Sequence, residues 1–345
     1  MHLPCIKTLT RTFWRLPLTV LLGFGAKASA ISEQNYKADF DAKVAPFFQS
    51  QGEEGTLQTS DGVTLAYKAF VHPDSVGDLV FLQGWTESYV SYPEFAYDMY
   101  QNKVSIYFLD WRGQGKSQRA LEDTYKSYVE DYKEYVLDLE AFMEQVVKPR
   151  AKTKPIALAF SMGANVLSIF ETQYPQTFSR VILISPMLDI KSDPWPQRVA
   201  WSIARFVEIL GFGDSYLFGQ GPPKPGSPRI NRVTSSEQRF DQLILDRNAD
   251  PKTVLSGGTF SWLRASFEAT WFMRDHAEQL TVPILMFQSG KDEFVRTEGQ
   301  DYVCARAPVC LKIVIPVARH AILLESDRIR NKVMAEIMDF ILNGY

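Results

Sequence analysis

Several features that mark specialised classes of protein are missing from this chain or scarce in it. Its 345 residues include three cysteines and four histidines, and none of them has the spacing of metal ligands. The formal net charge is −3, so no surplus of positive charge indicates a nucleic-acid partner. We find no internal repeat and no low-complexity tract. We therefore expect that the function involves no metal, no cofactor and no nucleic acid.

The composition that remains is that of an ordinary globular protein with a sizeable core. Hydrophobic residues make up 46% of the chain and charged residues 22%. A length of 345 residues is enough for one large domain or two small ones. Nothing in the composition implies a partner protein.

The first thirty residues differ from the rest of the chain. Three basic residues, Lys7, Arg11 and Arg15, precede the apolar run LPLTVLLGFGA, and small residues follow it. This layout is typical of a secretory signal peptide, so we predict that residues 1–30 are a signal peptide cleaved after Ala30. The alternative is an uncleaved membrane anchor, although the apolar run is shorter than the ~20 residues that span a bilayer. No later segment predicts a transmembrane helix.

Cleavage of this segment would change both the charge and the location of the protein. The segment holds four basic residues and no acidic one, so its removal shifts the net charge from −3 to −7. We expect an exported protein, periplasmic or secreted, with no general attraction to anionic lipid surfaces.

Two cysteines remain after the predicted cleavage. Cys5 leaves with the signal peptide, whereas Cys304 and Cys310 stay, close together in the stretch CARAPVC. In an exported protein such a pair predicts a disulfide that closes a small loop. The alternative is two reduced thiols in the connection between a helix and a strand.

Strands and helices alternate along the body of the chain. Short apolar runs such as DLVFLQ, SIYFLD and PIALAF are bounded by turns and lack the alternation of half-exposed strands. From Tyr128 to Val147 apolar residues recur at helical spacing, and Pro149 follows. Near the start, Asp61-Gly62 predicts a hairpin that adds antiparallel strands at one edge. The pattern predicts an α/β fold with a mostly parallel central sheet and helices on both faces.

One region interrupts this alternation. Residues from about 190 to 275 contain no clear strand, but they hold many aromatic side chains and the loop GQGPPKPGSP. We predict a largely helical insertion between two strands of the sheet. Five of its apolar residues share one helical face, namely Trp195, Val199, Ile203, Phe206 and Leu210. Such a stripe is typical of core packing, and the alternative is a surface that lines a lipid channel or touches a membrane.

One serine has the local pattern of a nucleophile. The stretch AFSMGAN, residues 159–165, follows an apolar strand-like run and precedes a helix-like run. It departs from the pattern G-x-S-x-G only at Ala159. That pattern needs small residues on both sides of the serine because the strand and helix backbones come close together there. We predict that Ser161 is a nucleophile, and the alternative is a serine that caps the following helix.

An acid and a histidine follow two later predicted strands. Asp292 lies just after the strand VPILMFQS, and His320 follows the strand CLKIVIPV. The other three histidines lie in the predicted signal peptide, in a turn, and before the strand that precedes Asp292. The order Ser161, Asp292, His320 is that of the α/β-hydrolase triad, so we predict a base at His320 and an orienting acid at Asp292. An ordinary turn acid is the alternative for Asp292, and spacing alone does not exclude its neighbour Glu293.

Two backbone N–H groups are candidates for an oxyanion hole. The strand DLVFLQ ends at Gly84, and an N–H just after such a glycine can point at a developing oxyanion. We therefore predict that the N–H groups of Trp85 and of Met162 stabilise a tetrahedral intermediate. The alternative is an ordinary turn at the end of a strand.

These residues together predict acyl transfer. Ser161 attacks an acyl carbonyl, and His320 takes the serine proton and then delivers it to the leaving group. Asp292 orients His320 and stabilises its imidazolium form, and water finally releases the acyl group.

At these motifs the sequence resembles the α/β-hydrolases of the lysophospholipase and monoacylglycerol lipase group, most closely its bacterial lysophospholipases. Other matching stretches are FFQSQGEEG, LQGWTESYVSYPEFAYDMY, YFLDWRGQGKSQR and ARHAILLESDRIR, and the likeness runs from about residue 47 to the C-terminus. The resemblance implies the α/β-hydrolase fold, with the catalytic residues at Ser161, Asp292 and His320 and the oxyanion donors at Trp85 and Met162. It also implies that the motif from Asp110 to Ser117 shapes a loop beside the active site.

The resemblance further implies a substrate. The insertion of residues 190–275 falls where this group carries its cap, and its aromatic side chains suit an acyl chain. We therefore expect a single-chain lipid ester, a lysophospholipid or a monoacylglycerol, and transient contact of the cap with a membrane. Head-group preference and oligomeric state are not predicted by the sequence.

Two other functions remain open at this point. Aminopeptidases share the fold, the triad and the position of the cap, and they need acidic residues there to hold a substrate amine. Glu208, Asp214 and Asp241 lie in the insertion without forming an obvious cluster. A non-catalytic lipid-binding protein that has kept the fold is the other alternative.

Overall fold

The computed structural model describes residues 29–223 and 230–344, together with the backbone of residues 10–12. Most of the predicted signal peptide, residues 1–30, therefore lies outside the described residues. Within the described part of the chain, no helix is both long enough and apolar enough to cross a membrane.

A nine-stranded sheet forms the centre of the protein, with the strand order β1-β11-β10-β8-β7-β4-β5-β3-β2. A separate pair of two-residue strands, β6 and β9, lies outside it. The strands are β1 (Thr10–Thr12), β2 (Glu53–Gln58), β3 (Thr64–Phe70), β4 (Gly77–Leu82), β5 (Val104–Leu109), β6 (Lys126–Ser127), β7 (Ile156–Phe160), β8 (Val181–Ile184), β9 (Gly257–Gly258), β10 (Ile284–Ser289) and β11 (Cys310–Ile315).

Helices account for most of the remaining chain. The α-helices are α1 (Tyr36–Asp39), α2 (Ala45–Ser50), α3 (Pro93–Gln101), α4 (Tyr132–Phe142), α5 (Met162–Gln173), α6 (Gln197–Val207), α7 (Glu237–Ala249), α8 (Phe260–His276), α9 (Thr297–Arg306) and α10 (Asp327–Leu342). Wider π-helical turns extend α1, α4 and α6, at Phe40–Val44, Met143–Val147 and Glu208–Phe212. Short 3-10 turns lie at Glu33–Asn35, Tyr89–Ser91, Pro251–Thr253, Ala277–Gln279 and Ile322–Leu324.

The directions of the strands confirm a mostly parallel sheet with an antiparallel edge. The hairpin of β2 and β3 turns at Asp61-Gly62, where Gly62 has a φ of 83°, and places Leu57 opposite Leu65. Strand β3 is also antiparallel to β5, whereas the pairings of β4, β5, β7, β8, β10 and β11 with one another are parallel. Because parallel strands are joined by crossover helices, both faces of the sheet are covered.

The central strands contribute alternate side chains to two hydrophobic cores. In β4, Val80 and Leu82 join the core under α4, α5 and α8, whereas Leu79 and Phe81 join the core under α3 and α10. All four are fully buried. This two-sided burial explains why the strand is apolar without alternation in its sequence.

The predicted start of the long helix α4 was wrong by four residues. The long helix predicted from Tyr128 begins at Tyr132, because Asp131 and Glu134 form a capping box at its N-terminus. Asp131 accepts the N–H of Lys133 at 2.9 Å, and Glu134 accepts the N–H of Asp131 at 3.1 Å. At the other end the helical backbone continues through the turn Met143–Val147, as predicted.

The predicted insertion lies between β8 and β10 and consists mainly of α6, α7 and α8. The prediction that the insertion contains no strand is wrong, because it includes the two-residue strand β9, which pairs with β6. Helix α8 packs against α5 and belongs to the core, whereas α6 lies on the outer side of α8. The indole N–H of Trp201 on α6 donates to Glu268 on α8 at 2.9 Å.

The other face of α6 lies exposed at the surface. Val199, Phe206 and Leu210 are 41%, 61% and 55% exposed, and Trp195 lies just before the helix and is 56% exposed. The interpretation of this stripe as core packing is therefore wrong. Helix α6 packs on α8 through the side that carries Trp201, which leaves the predicted stripe without a partner among the described residues.

A disulfide joins the end of α9 to the start of β11. The bond links Cys304 and Cys310, whose Cα atoms lie 5.4 Å apart. It closes the loop between a helix and a neighbouring strand at one edge of the sheet.

Two buried arginines connect helices from distant parts of the sequence. Arg330 on α10 pairs with Asp98 and with Glu94 on α3, and its side chain is fully buried. Arg239 on α7 pairs with the same Glu94 at 2.9 Å and with Asp327 at 2.8 Å. Burial raises the pKa of Asp98 to about 6 even beside Arg330. These charges are stable in the interior only as a set.

We predict that Arg330→Met lowers the free energy of unfolding by about 3–5 kcal/mol, because it leaves Asp98 and Glu94 buried without their shared cation. Urea unfolding measures this loss. The matched control is Arg328→Met, two residues earlier on the same helix and exposed, which we expect to change stability by no more than about 0.5 kcal/mol. Equal stabilities for the two variants would show that the buried network contributes nothing.

Candidate active site

Ser161 occupies a sharp turn between β7 and α5. Its φ is 51° and its ψ is −114°, a conformation that non-glycine residues seldom adopt. The turn is held on both sides, since the N–H of Ser161 donates to the carbonyl of Ile184 and the N–H of Met187 donates to the carbonyl of Ser161, each at 3.0 Å. The hydroxyl of Ser161 makes no capping hydrogen bond to the helix. The geometry thus favours the interpretation of a functional hydroxyl over that of a helix cap.

Gly163 allows helix α5 to begin directly behind the end of β4. A Cβ atom at this position would lie 2.5 Å from the carbonyl oxygens of both Leu82 and Gln83. No side chain fits such a gap, so the position requires glycine for space. Ala159, where the sequence departs from the G-x-S-x-G pattern, lies fully buried in β7 and leaves the turn intact.

The structure brings the three predicted side chains together at the carboxyl edge of the sheet. Nε2 of His320 lies 2.9 Å from Oγ of Ser161, and Nδ1 of His320 lies 2.6 Å from Oδ2 of Asp292. All three residues are buried. The loops after β7, β10 and β11 each supply one of them, because the carboxyl ends of parallel strands meet at one edge.

Asp292 rather than Glu293 faces the histidine. Its second oxygen, Oδ1, accepts the N–H groups of Phe294 at 2.8 Å and of Val295 at 3.1 Å. Burial disfavours its charge, but the hydrogen bond and the charge of His320, with these N–H groups, hold the pKa of Asp292 below its ordinary value. Glu293 instead points outward and pairs with Arg232 at 2.7 Å.

The imidazole of His320 is fixed by its surroundings. The rings of Phe160 and Phe294 pack against it with centroid distances of 4.8 and 5.1 Å. The hydroxyl of Ser185 donates to the backbone carbonyl of His320 at 2.8 Å, and Ser185 itself has a positive φ of 42°. Sequence reasoning missed Ser185, and its position directly after strand β8 is the signal that points to it.

The two predicted oxyanion donors lie at the ends of adjacent strands, β4 and β7. Neither the N–H of Trp85 nor that of Met162 has a hydrogen-bond partner within residues 29–223 and 230–344. The indole of Trp85 is anchored by stacking on Trp262 at 4.3 Å and by donation to Ser127 at 2.7 Å. This anchoring holds the backbone of the turn in place, and it leaves both N–H groups available to an oxyanion.

The motif from Asp110 to Ser117 packs against the turn that follows β4 and supports it. Asp110 accepts hydrogen bonds from the side chains of Gln83 and Ser88, each at 2.8 Å. A Cβ at Gly115 would lie 1.9 Å from the same carboxylate, so the loop wraps closely around it. Burial raises the pKa of Asp110 to about 6. The structure places the motif beside the site, with no contact to Ser161.

Glu87 is a second residue that the sequence analysis missed. Its Oε2 accepts the N–H of Gly84 at 2.9 Å and the hydroxyl of Tyr92 at 2.6 Å. Burial raises the pKa of this carboxyl, whereas the charges of Arg247 and His320 lower it. A lone glutamate in a turn carries no distinctive sequence signal, so only its position in the fold marks it.

The arrangement contains the parts that acyl transfer needs. It holds a hydroxyl within reach of an imidazole, an acid behind that imidazole, and two free N–H groups nearby. In the described part of the chain, no group of three or more His, Cys, Asp or Glu side chains is arranged to hold a metal ion.

Comparison with known proteins finds relatives that match most of the chain. A family model described as serine aminopeptidase, S33, matches residues 73–327. The chain is 31% identical to lysophospholipase L2 of Escherichia coli strain K12 over 319 residues, which is 90% of this chain and 93% of that protein. It is 27% identical to a probable lysophospholipase L2 of Haemophilus influenzae, over 87% of this chain and 95% of that protein.

Solved structures show the same fold at low sequence identity. A soluble variant of monoglyceride lipase from Saccharomyces cerevisiae superimposes with a TM-score of 0.68 at 16% identity. The match covers 85% of this chain and 95% of the yeast chain. It confirms the mostly parallel sheet with helical cover as an α/β-hydrolase fold.

We predict that Ser161→Ala leaves the free energy of unfolding within about 0.5 kcal/mol of that of the unmodified protein, because its hydroxyl caps no helix. Thr259→Ala is the matched control, since its side chain accepts the N–H of Trp262 at the start of α8. We expect that variant to lose about 1 kcal/mol. Urea unfolding checks both, and a similar loss in both variants would restore the capping interpretation of Ser161.

Proposed function

The chain belongs to the serine aminopeptidase S33 family, within the α/β-hydrolases of the lysophospholipase and monoacylglycerol lipase group, and on this basis we propose a serine hydrolase that cleaves single-chain lipid esters. The hydrogen-bonded chain of Ser161, His320 and Asp292 is the observation that carries the proposal. The substrates named for its relatives, lysophospholipids and monoacylglycerols, support the choice of ester.

The proposed reaction follows from the geometry of the site. Nε2 of His320 accepts the proton of Ser161 as Oγ attacks the ester carbonyl, and Asp292 stabilises the imidazolium that forms. The negative charge on the carbonyl oxygen then meets the N–H groups of Trp85 and Met162. His320 returns the proton to the leaving alcohol, which leaves an acyl group on Ser161. Water, activated by the same imidazole, releases the fatty acid.

Two acidic residues of the insertion, Glu208 and Asp214, do not favour the aminopeptidase alternative. Glu208 is held by Arg205 at 2.7 Å and by Arg264, and it also accepts the hydroxyl of Ser261 at 3.1 Å. A carboxylate engaged in this way is not free to bind a substrate amine. Asp214 is exposed on the surface beyond the end of the same helix.

We expect Ser161→Ala to lower hydrolysis of lysophosphatidylcholine and monoacylglycerol at least about a thousandfold, because no other group supplies the nucleophile. Mass spectrometry of the released fatty acid measures the loss. A fluorophosphonate probe should label the unmodified protein and Ser168→Ala equally, since Ser168 on α5 only bonds the carbonyl of Ala164. It should not label Ser161→Ala, and labelling there would exclude this nucleophile.

The choice of substrate class is tested separately from the nucleophile. Short p-nitrophenyl esters and fluorogenic alanine and proline amides are offered beside the lipids under the same conditions. Cleavage of the short esters alone would remove the lipid claim. Release of the fluorogenic amine at rates above those of the lipids would favour the peptidase.

The outer face of α6 supports a substrate that resides in a lipid layer. We define this outer face by the exposed apolar side chains of α6 and of the residues that flank it, which are Trp195, Val199, Phe206, Ile209, Leu210, Phe212 and Phe218. A basic residue, Arg198, lies on the same helix and suits the phosphates of a lipid surface. A soluble protein seldom exposes so many large apolar side chains in one segment unless they contact a partner. We propose that this face rests on the membrane while the site takes its substrate.

We predict that Phe206→Ser, Ile209→Ser and Leu210→Ser combined lower binding to phospholipid vesicles at least about tenfold, because each side chain loses apolar burial of about 1.5–3 kcal/mol. Vesicle flotation measures the bound fraction. Val76→Ser with Val309→Ser is the control, since both valines are exposed elsewhere on the surface. Equal binding of both variants, or no binding by the unmodified protein, would contradict the proposal.

A further inference from the structure

The turn that carries the N–H of Trp85 has a backbone conformation that needs support. Thr86, the next residue, has a φ of 62°, a value that residues other than glycine seldom adopt. Such a conformation persists only where its surroundings hold it in place. Because the direction of the Trp85 N–H depends on this backbone, the contacts that hold the turn decide whether that N–H meets an oxyanion.

Two side chains accept the N–H groups on either side of Trp85. Oε2 of Glu87 accepts the N–H of Gly84 at 2.9 Å. Oε1 of Gln114 accepts the N–H of Thr86 at 2.6 Å. The N–H of Trp85 itself has no hydrogen-bond partner in the part of the chain that the structure describes. The turn thus satisfies the flanking donors and leaves the middle one free.

The carboxyl group of Glu87 lies beside the catalytic residues. A Cβ at Gly84 would lie 3.1 Å from Oε2 of Glu87 and 3.1 Å from the ring of Phe160. The ring of Phe160 in turn packs against that of His320, with a centroid distance of 4.8 Å. Phe160 also directly precedes Ser161 in the chain. These contacts place Glu87 next to the ring that packs on the catalytic imidazole.

A second donor fixes the position of Glu87. The hydroxyl of Tyr92, a buried residue directly before α3, donates to the same Oε2 at 2.6 Å. The ring of Tyr92 packs on Phe81 of β4 with a centroid distance of 4.4 Å. Tyr92 is therefore anchored in the core under α3, and through it the carboxyl of Glu87 connects this core with the backbone of Gly84.

We propose that Glu87 is a positioning residue, whose carboxyl oxygen fixes the backbone of Gly84 and so directs the N–H of Trp85 toward the oxyanion. The assignment rests on the function proposed above, since it assumes an ester carbonyl attacked by Ser161. Gly84 has no side chain to limit its rotation, so the turn depends on this hydrogen bond. Because the oxyanion forms only in the transition state, loss of the bond affects the chemical step rather than substrate binding.

The test compares Glu87→Gln, which keeps an acceptor oxygen at this position, with Glu87→Leu, which removes it. For Glu87→Leu we expect kcat to fall at least about tenfold, since outright removal of an oxyanion donor costs about 10²–10³ in kcat. KM should change less than about twofold, because the contact is made only in the transition state. Glu87→Gln should keep kcat within about threefold of that of the unmodified protein. Both lysophosphatidylcholine and p-nitrophenyl butyrate serve as substrates.

Glu171→Leu is the matched control. Glu171 is also a buried carboxyl that holds a backbone donor, since it accepts the N–H of Phe178 at 3.2 Å. It lies near the other end of α5 from Ser161, roughly 15 Å away along the helix. Urea unfolding should show a loss of stability in both leucine variants, whereas only Glu87→Leu should lose kcat.

Two inhibitors give a second readout that a merely structural role would not separate. An alkylboronic acid forms a tetrahedral adduct in which the oxygen of Ser161 adds to boron and its proton passes to His320. The ether analogue of lysophosphatidylcholine has no ester carbonyl and therefore makes no use of an oxyanion hole. In Glu87→Leu we expect the affinity for the boronic acid to fall at least about tenfold and that for the ether to stay unchanged.

The outcomes separate this assignment from the proposed function. Equal kcat in Glu87→Gln and Glu87→Leu, or equal falls in affinity for the boronic acid and the ether, would overturn the assignment and leave the lipid hydrolase intact. Cleavage of p-nitrophenyl butyrate alone would remove the lipid claim, and the two variants would still decide the role of Glu87 on that ester. If the unmodified protein cleaved neither ester, the proposed function would fall, and this assignment with it.

Discussion

The close approach of the end of β4 to the first turn of α5 is the constraint on which the candidate site depends. A Cβ at Gly163 would lie 2.5 Å from the carbonyl oxygens of Leu82 and Gln83, so only glycine lets the two backbones come this close. The turn from β7 into α5 is made at Ser161, whose φ of 51° is a strained value for a residue other than glycine. The N–H groups of Trp85 and Met162, which we propose as oxyanion donors, follow the ends of the adjacent strands β4 and β7. The packing of β4 against α5 therefore bears on both the proposed nucleophile and the proposed oxyanion hole.

The histidine depends on a different part of the structure. His320 lies 159 residues from Ser161 in sequence, and a loop of irregular backbone must present it accurately. Buried arginines hold the segment that follows, since Arg330 donates to the carbonyl of Leu323 at 2.8 Å and Arg239 donates to that of Glu325 at 2.9 Å. Because α7 and α10 supply these arginines, the insertion and the C-terminal helix both stabilise the position of the base.

The insertion combines three roles that its sequence does not separate. Helix α8 completes the hydrophobic core, and its Trp262 fixes the indole of Trp85. Helix α7 packs against the turn Tyr89–Ser91 and contributes the buried Arg239, which pairs with Glu94. Helix α6 turns its apolar side to the surroundings, where Phe206 is 61% exposed. A helical segment that resembles core in its sequence is therefore divided among the core, the site and the surface.

The sequence by itself determined the succession of strands and helices, the mostly parallel sheet and the three side chains proposed for catalysis. It did so because burial on both faces imposes continuous apolar runs, and because the carboxyl ends of parallel strands meet at one edge. The sequence left open the choice between Asp292 and Glu293, which differ by one position in a loop. It also gave no sign of Glu87, which holds the N–H of Gly84. Only the tertiary structure decided these points, because loop direction and the burial of a charge depend on contacts between segments far apart in the chain.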